Sequence, residues 1–138
     1  LIALATALEM RFSRDDTALL VMPMCHANSL YFGQTFVHLG ATCIIDDRRS
    51  FDPEALLATL AREKVTFTSL VPTHYIMMLG LSPAVRAQSN FSRVTKLMIS
   101  SAPARQDTKR AVRLGRIRCN QHIIIDITVP LHSACSKG

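Results

Sequence analysis

The chain of 138 residues is 49% hydrophobic and 19% charged, a balance that fits one globular domain with a real core and excludes a disordered segment. No apolar run approaches the roughly 18 residues that a membrane-spanning helix needs, and the opening "LIALATALEM" lacks the basic flank of a signal peptide. The formal charge of +6 is uneven: residues 1–104 hold nine Lys or Arg against eight Asp or Glu, and residues 105–138 hold seven against two. A near-neutral body with a basic tail reads as a solvated helix face followed by a loop. The basic residues of the tail have no interleaved aromatics on which bases could stack, so nucleic acid is not the expected partner. Four cysteines, at 25, 43, 119 and 135, form no CxxC pair, which suggests free thiols in a reducing, cytoplasmic compartment. The chain starts on Leu1 rather than Met and reads as a piece of something longer.

In chain order, Leu1–Arg11 has helical spacing, and Asp15-Asp16 breaks it. The run "ALLVMPM" (Ala18–Met24) is almost wholly apolar, as expected of a strand buried on both faces. Asn28 or Ser29 can cap a helix that runs to about Leu39, with Gly40 as its stop. "ATCIID" (Ala41–Asp46) predicts a second strand.

The clearest local signal follows in "SFDPEALLATLAREK". Asp52 is an N-cap, and Pro53 sits at the first helical position, where its missing N–H costs nothing. Glu54 adds negative charge at the positive end of the helix, while Leu56, Leu57 and Leu60 make its buried stripe. Val65–Pro72 predicts a third strand, and Thr73 is placed to cap a short helix through about Leu81. Pro83–Ser92 reads as a polar surface connection. Val94–Ala102 predicts a fourth strand stopped by Pro103, with a helix along residues 104–115.

Strand and helix therefore alternate at intervals of roughly 25 residues, the spacing of βαβ crossovers. The expected class is α/β with a largely parallel sheet, an incomplete piece of a larger layered domain. Ligands of such sheets gather outside the carboxyl ends of the strands. Those ends read Met24-Cys25-His26, Asp46-Asp47, Pro72-Thr73-His74 and Ser100-Ser101-Ala102.

Cys25 and His26 do not read as a nucleophile and its base, because adjacent residues of an extended strand point to opposite faces. Cys25 reads instead as a buried small hydrophobe; His26 is either a core histidine with one satisfied nitrogen or a pocket residue. His26, His38 and His74 share no metal-ligand spacing. No GxGxxG, P-loop, GxSxG or HExxH motif occurs, so these residues describe a binding surface without a catalytic engine. Taken alone they also suit a non-catalytic α/β binding module whose basic tail docks on nucleic acid or an acidic partner.

Three stretches in this order and spacing, "LLVMPMCHANS", "FDPEALLATLAREKVTFTSLVPTHYIMML" and "FSRVTKLMISSAPA", resemble the large N-terminal domain of adenylate-forming enzymes. That family includes acyl-CoA synthetases, firefly luciferase and the adenylation domains of peptide synthetases. The resemblance covers about residues 13–110 and is strongest toward acyl-CoA synthetases for fatty or aryl acids. It implies a ligase that joins a carboxylic acid to CoA through an acyl-adenylate, using ATP and Mg²⁺, with CoA as co-substrate.

By the same resemblance, His26 lines the acyl pocket near the thiol tunnel, with Asn28 beside it, and Thr73 and His74 border the acyl cavity. Ser100, Ser101, Ala102 and Pro103 lie against the acyl group and the adenine side of the adenylate. Family members often carry Gly where this chain has Ser100 or Ser101. The phosphate loop, the Mg²⁺-holding Glu, the ribose-binding Asp and the catalytic Lys of the family have no counterpart in these residues. No catalytic or metal-ligating residue is therefore assigned, and the 138 residues alone are expected to be inactive. Residues 1–113 read as partial AMP-binding domain. Residues 114–138 read as a divergent basic tail, which a frameshift or misjoined end would explain.

Overall fold

A computed structural model describes residues 1–88, 90–99, 106–111 and 123–126. In chain order the elements are α1 (Ile2–Glu9), β1 (Thr17–Leu20), α2 (Ala27–Leu39), β2 (Thr42–Ile45), α3 (Pro53–Arg62) and β3 (Phe67–Leu70). These are followed by α4 (Pro72–Gly80), α5 (Pro83–Ala87), β4 (Lys96–Ile99), α6 (Gln106–Ala111) and β5 (Ile123–Asp126). The five strands form one parallel sheet in the order β2-β1-β3-β4-β5, in keeping with the expected α/β class.

Side chains alternate across the strands and build a core on each face. On one face Leu19, Leu70, Leu97 and Ile99 pack with Leu56, Leu57 and Leu60 of α3 and with Tyr75 and Met78 of α4. On the other, Ala18, Leu20, Phe67 and Met98 pack with Ala7 of α1 and with Phe32 and Phe36 of α2. Phe12 joins this second core, its ring 4.8 Å from those of both Phe36 and Phe67. Tyr75 is fully buried and donates its hydroxyl proton to the Met98 carbonyl at 2.8 Å, tying α4 to β4.

Three helices end in the same way. After α1, α2 and α3 the chain turns through a left-handed residue: Arg11 (φ 50), Gly40 (φ 63) and Lys64 (φ 52). In each case the turning residue's N–H bonds a carbonyl three residues back, and the next N–H bonds one five residues back. The longer bonds run from Phe12 to Ala7, Ala41 to Phe36 and Val65 to Leu60. These are Schellman closures, and all six of those residues are apolar, as the motif favours. Sequence reading finds only Gly40, because Arg11 and Lys64 lack the glycine signature and carry the steric penalty of a Cβ in that conformation.

Elsewhere the boundaries shift for local reasons. β1 ends at Leu20, short of the expected Met24, because Pro23 has no N–H for a ladder and its carbonyl instead accepts the His26 N–H at 2.8 Å. The expected polar connection after Leu81 contains the short helix α5, started by Pro83 and capped by Ser82 Oγ, which accepts the Val85 N–H at 3.2 Å. β5 pairs Ile123 with Lys96 and Asp126 with Ile99, a strand the sequence reading did not place. Ser100, Ser101, Ala102 and Pro103 lie outside the described residues, as does the rest of the tail beyond residue 113.

The amino-terminal end of the sheet is held by one polar cluster. Asp16, 8% exposed, accepts the Thr66 hydroxyl at 2.7 Å, the Ser13 N–H at 2.9 Å and the Lys96 ammonium at 3.1 Å. Thr66 Oγ1 in turn accepts the Thr17 N–H at 3.0 Å. The cluster thus joins the starts of β1, β3 and β4, and the Lys96 ammonium also lies 5.1 Å over the Phe12 ring. Burial alone would raise the Asp16 carboxyl, but the bonds from Thr66 and Ser13 and the charge of Lys96 hold it below the ordinary value.

Two outcomes follow for stability. Asp16→Ala leaves the Lys96 charge largely buried without its partner and should lower unfolding free energy by about 3 kcal/mol in urea titrations. Because the folded carboxyl is the more acidic, the Asp16 contribution is full above the unfolded value of about 3.9 and is lost as pH falls through the lower folded value. Asp16→Ala should remove that acid-side slope. Separately, Lys64→Gly should raise stability by about 0.5 kcal/mol, whereas Gly40→Ala should lower it by about 1 kcal/mol, read as shifts in the urea midpoint.

Candidate functional site

The chain leaves β1 through α2 to β2 on one side, then crosses through α3 to β3 on the other side of β1. Strand order therefore reverses between β1 and β3. The two connections leave the carboxyl end of the sheet in opposite directions and open a crevice there, the usual ligand site of open α/β sheets. The segments around it are residues 21–28, leading into α2, and residues 71–74, leading into α4.

His26 is the N-cap of α2: its backbone is extended, and its Nδ1 accepts the Asn28 N–H at 3.2 Å. This corrects the expectation that Asn28 or Ser29 would cap the helix. The turn made by Pro23 and His26 starts the helix at Ala27, placing both residues inside it. The Asn28 side chain instead reaches across to β3 and donates to Ser69 Oγ at 2.8 Å. Ser29 is buried, and its hydroxyl has no hydrogen-bond partner among the described residues. Cys25 is exposed, so it is not the buried packing residue expected from sequence. β1 has ended before it, and the turn carries its side chain out of the core.

Thr73 also departs from its expected role. The N-cap of α4 is Val71, without a side-chain cap bond, and Thr73 is exposed inside the first turn. Pro72 at the first helical position starts the helix one residue before Thr73 could cap it. His74, one residue on, faces a cleft of about 420 Å³ between the ends of β1 and β2 and the start of α4. Its ring stacks flat on Phe51, with centroids 3.8 Å apart and planes within 4°. His74 Nδ1 is buried without a hydrogen-bond partner among the described residues, and burial lowers its pKa, which keeps the imidazole neutral.

The other walls of the cleft are Met22, Pro23, Met24, Ile45 and the loop from Asp46 to Phe51. Arg48 is tied to Asp46 by two bonds of 2.7 Å, from Nε and Nη2 to the two carboxylate oxygens. Burial would raise the Asp46 carboxyl, but these bonds and the Arg48 charge lower it overall. The fork fixes the loop by a charge-assisted, bidentate contact.

The site thus brings His26, Asn28 and His74 to one end of the sheet. His74 lines the cleft; His26, Asn28 and Thr73 are not among its walls. Sequence reasoning placed Met24, Asp46 and Asp47 at the strand ends that line the cleft but missed Phe51, Arg48 and Met22. Phe51 had a usable signal, since an apolar residue just before an N-cap commonly packs back onto its helix. Among the described residues no group of three His, Cys, Asp or Glu side chains could hold a metal ion, and no helix is long and apolar enough to cross a membrane.

A parallel sheet with helices on both faces and a crevice at its switch point defines an α/β domain of the open, doubly wound kind. Comparison with known proteins narrows the class. Residues 1–123 match the AMP-binding enzyme family, and the chain belongs to that family. It is 29% identical over 134 residues to a 4-hydroxybutyrate–CoA ligase of Metallosphaera sedula, covering 96% of this chain and 24% of that protein. Among solved structures it superposes on the N-terminal domain of FACL13 from Mycobacterium tuberculosis with a TM-score of 0.74 at 18% identity, over 91% of this chain and 29% of that one. A long-chain-fatty-acid-CoA ligase from Archaeoglobus fulgidus gives a TM-score of 0.69 at 22% identity, over 90% and 26% of the two chains. The chain therefore spans about a quarter of the length of these relatives.

The stacked His74 carries a pH signature. Its folded pKa lies below the ordinary 6.5, so the unfolded state takes up the proton first and stability falls as pH drops below that value toward the folded one. His74→Phe keeps a flat ring against Phe51 and removes both the proton site and the orphan nitrogen. The variant should be at least as stable as the parent at pH 7. Its unfolding free energy should lose the slope below about pH 6.5 in urea titrations.

Proposed function

We propose that this chain supplies the acyl and adenylate pocket of an AMP-forming acyl-CoA ligase. The observation that carries this reading is the placement of His26, Asn28 and His74 at the switch-point end of a sheet whose sequence matches the AMP-binding enzyme family. In this reaction a carboxylate oxygen attacks the α-phosphorus of ATP and pyrophosphate leaves. The sulfur of CoA then attacks the acyl carbon and AMP leaves, giving the thioester. The substrate class is a fatty or aryl carboxylic acid, and ATP and CoA are the co-substrates.

These residues suit binding and orientation more than charge neutralisation. The cleft offers the apolar Met22, Met24 and Phe51 and the neutral His74 to an acyl group. Ser100, Ser101, Ala102 and Pro103 follow β4 in sequence and would complete the adenylate side. The described residues do not fit Mg²⁺, since no three carboxylate, His or Cys side chains converge. The cation and the phosphates would be held by residues beyond these.

Acid-dependent exchange of radiolabelled pyrophosphate into ATP tests the proposal directly. The full-length enzyme containing this chain should exchange with a fatty, aryl or short hydroxy acid and form the CoA thioester. The 138 residues alone should not, because charge developing on the phosphates meets no assigned stabilising partner among the described residues. Absence of exchange by the full-length enzyme with all these acids would refute the ligase reading.

A further inference from the structure

The amino-terminal end of the sheet, opposite the crevice, carries two adjoining clefts. The first, of about 350 Å³, has Arg11, Asp16, Thr66, Ser92, Arg93 and Lys96 among its walls. The second, of about 450 Å³, is lined by Ala61, Lys64, Asn90, Ser92 and Arg93, so Ser92 and Arg93 stand in both. Lys96 and Asp16 neutralise each other at 3.1 Å, both largely buried. Arg11, Lys64 and Arg93 are exposed, and their side chains make no hydrogen bond or ion pair among the described residues. Against these three cations the walls set a single unmatched carboxylate, that of Asp15. Positive charge is in excess.

Backbone strain marks the same place. Arg11 and Lys64 are the two non-glycine residues with positive φ among the described residues, and glycine would hold either turn at lower cost. Both instead put a basic side chain on these clefts. A cation near a helix C-terminus gains some favourable interaction, but a Lys or Arg within the last turn would supply it without strain. The two closures also occupy the carbonyls of Ala7, Leu8, Leu60 and Ala61. Fewer bare carbonyl oxygens therefore remain at this end to repel an anion.

We propose that the two clefts form a phosphate-binding site, at the opposite end of the sheet from the candidate active site and independent of the ligase reading. Arg11, Lys64 and Arg93 supply the charge, and guanidinium forks suit the paired oxygens of a phosphate group. The Ser92 hydroxyl, which makes no bond among the described residues, supplies a neutral donor. The ligand is a phosphate group, as the free ion or as a monoester.

Calorimetric titration of the full-length protein with inorganic phosphate and with glycerol 3-phosphate tests the site. Saturable binding is expected, and the tighter of the two probes tells the free ion from the monoester. Arg93→Gln removes the cation common to both clefts and should weaken binding about 10-fold or more, with Arg93→Lys restoring part of the loss. Arg11→Gly and Lys64→Gly should also bind more weakly, yet unfold at a higher temperature than the parent because the strain is relieved. That opposition of affinity and stability is what a purely structural role would not produce. Arg14→Gln lies outside both clefts and should bind as the parent does. Absence of saturable binding, or binding unchanged in Arg93→Gln, would overturn the proposal. An equal loss in Arg14→Gln would also overturn it, since general surface charge would then account for the binding.

Discussion

Among the described residues, Asp16 is the carboxylate sealed into the amino-terminal end of the sheet, and the alignment of the strands runs through it. It holds Lys96 of β4 and Thr66 ahead of β3, and Thr66 holds the start of β1. A buried ion pair of this kind does little for net stability, because desolvation offsets most of the attraction. What it does is penalise every arrangement that separates its members. A slip of one residue between β3 and β4 would turn Lys96 to the other face and leave Asp16 without its partner, while moving Leu97 and Ile99 out of their core. Polar specificity and apolar alternation therefore demand the same register.

With the amino ends fixed in this way, the carboxyl ends are free to differ. There, among the described residues, turns and helix starts shape the chain, and the Asn28 side chain ties α2 to Ser69 of β3. The three Schellman closures share this logic from the opposite side. Each reverses the chain after α1, α2 or α3 and delivers it to the next strand at the amino end of the sheet. Two of them accept a strained Arg or Lys at the left-handed position, where the compact turn outweighs the penalty at that residue. Rigid closure at one end and variable helix starts at the other is the division that lets one scaffold carry a site.

Much of the scaffold was legible from residue pattern. The alternation of short apolar runs with capped helical stretches gave the α/β class, and Asp52-Pro53 located the start of α3 to the residue. Strand order was not legible, because periodicity reports which faces are buried and says nothing about which strand lies beside which. That order is what makes residues 21–28 and 71–74 neighbours. The caps failed for a related reason. Asn28, Ser29 and Thr73 are good capping types, yet Pro23 and Pro72 fixed the helix starts and moved the cap to His26 and Val71. Histidine is a weak prior for a cap, so its role emerged only from the turn that precedes it. Arg11 and Lys64 were invisible as helix stops because nothing in a long basic side chain announces a positive φ.

The two histidines of the carboxyl end both lie at helix starts, His26 as the N-cap of α2 and His74 in the first turn of α4. Burial lowers the His74 pKa, and the flat stack on Phe51 closes one ring face to water. For His26 the capping bond occupies the only acceptor. The crevice therefore presents a neutral His74 ring stacked on Phe51, near a His26 whose Nδ1 is taken up by the start of α2. The opening Pro23–Cys25–His26 turn is thus explained by helix geometry: the proline stops the strand, the cysteine swings outward, and the histidine gives its Nδ1 acceptor to the helix.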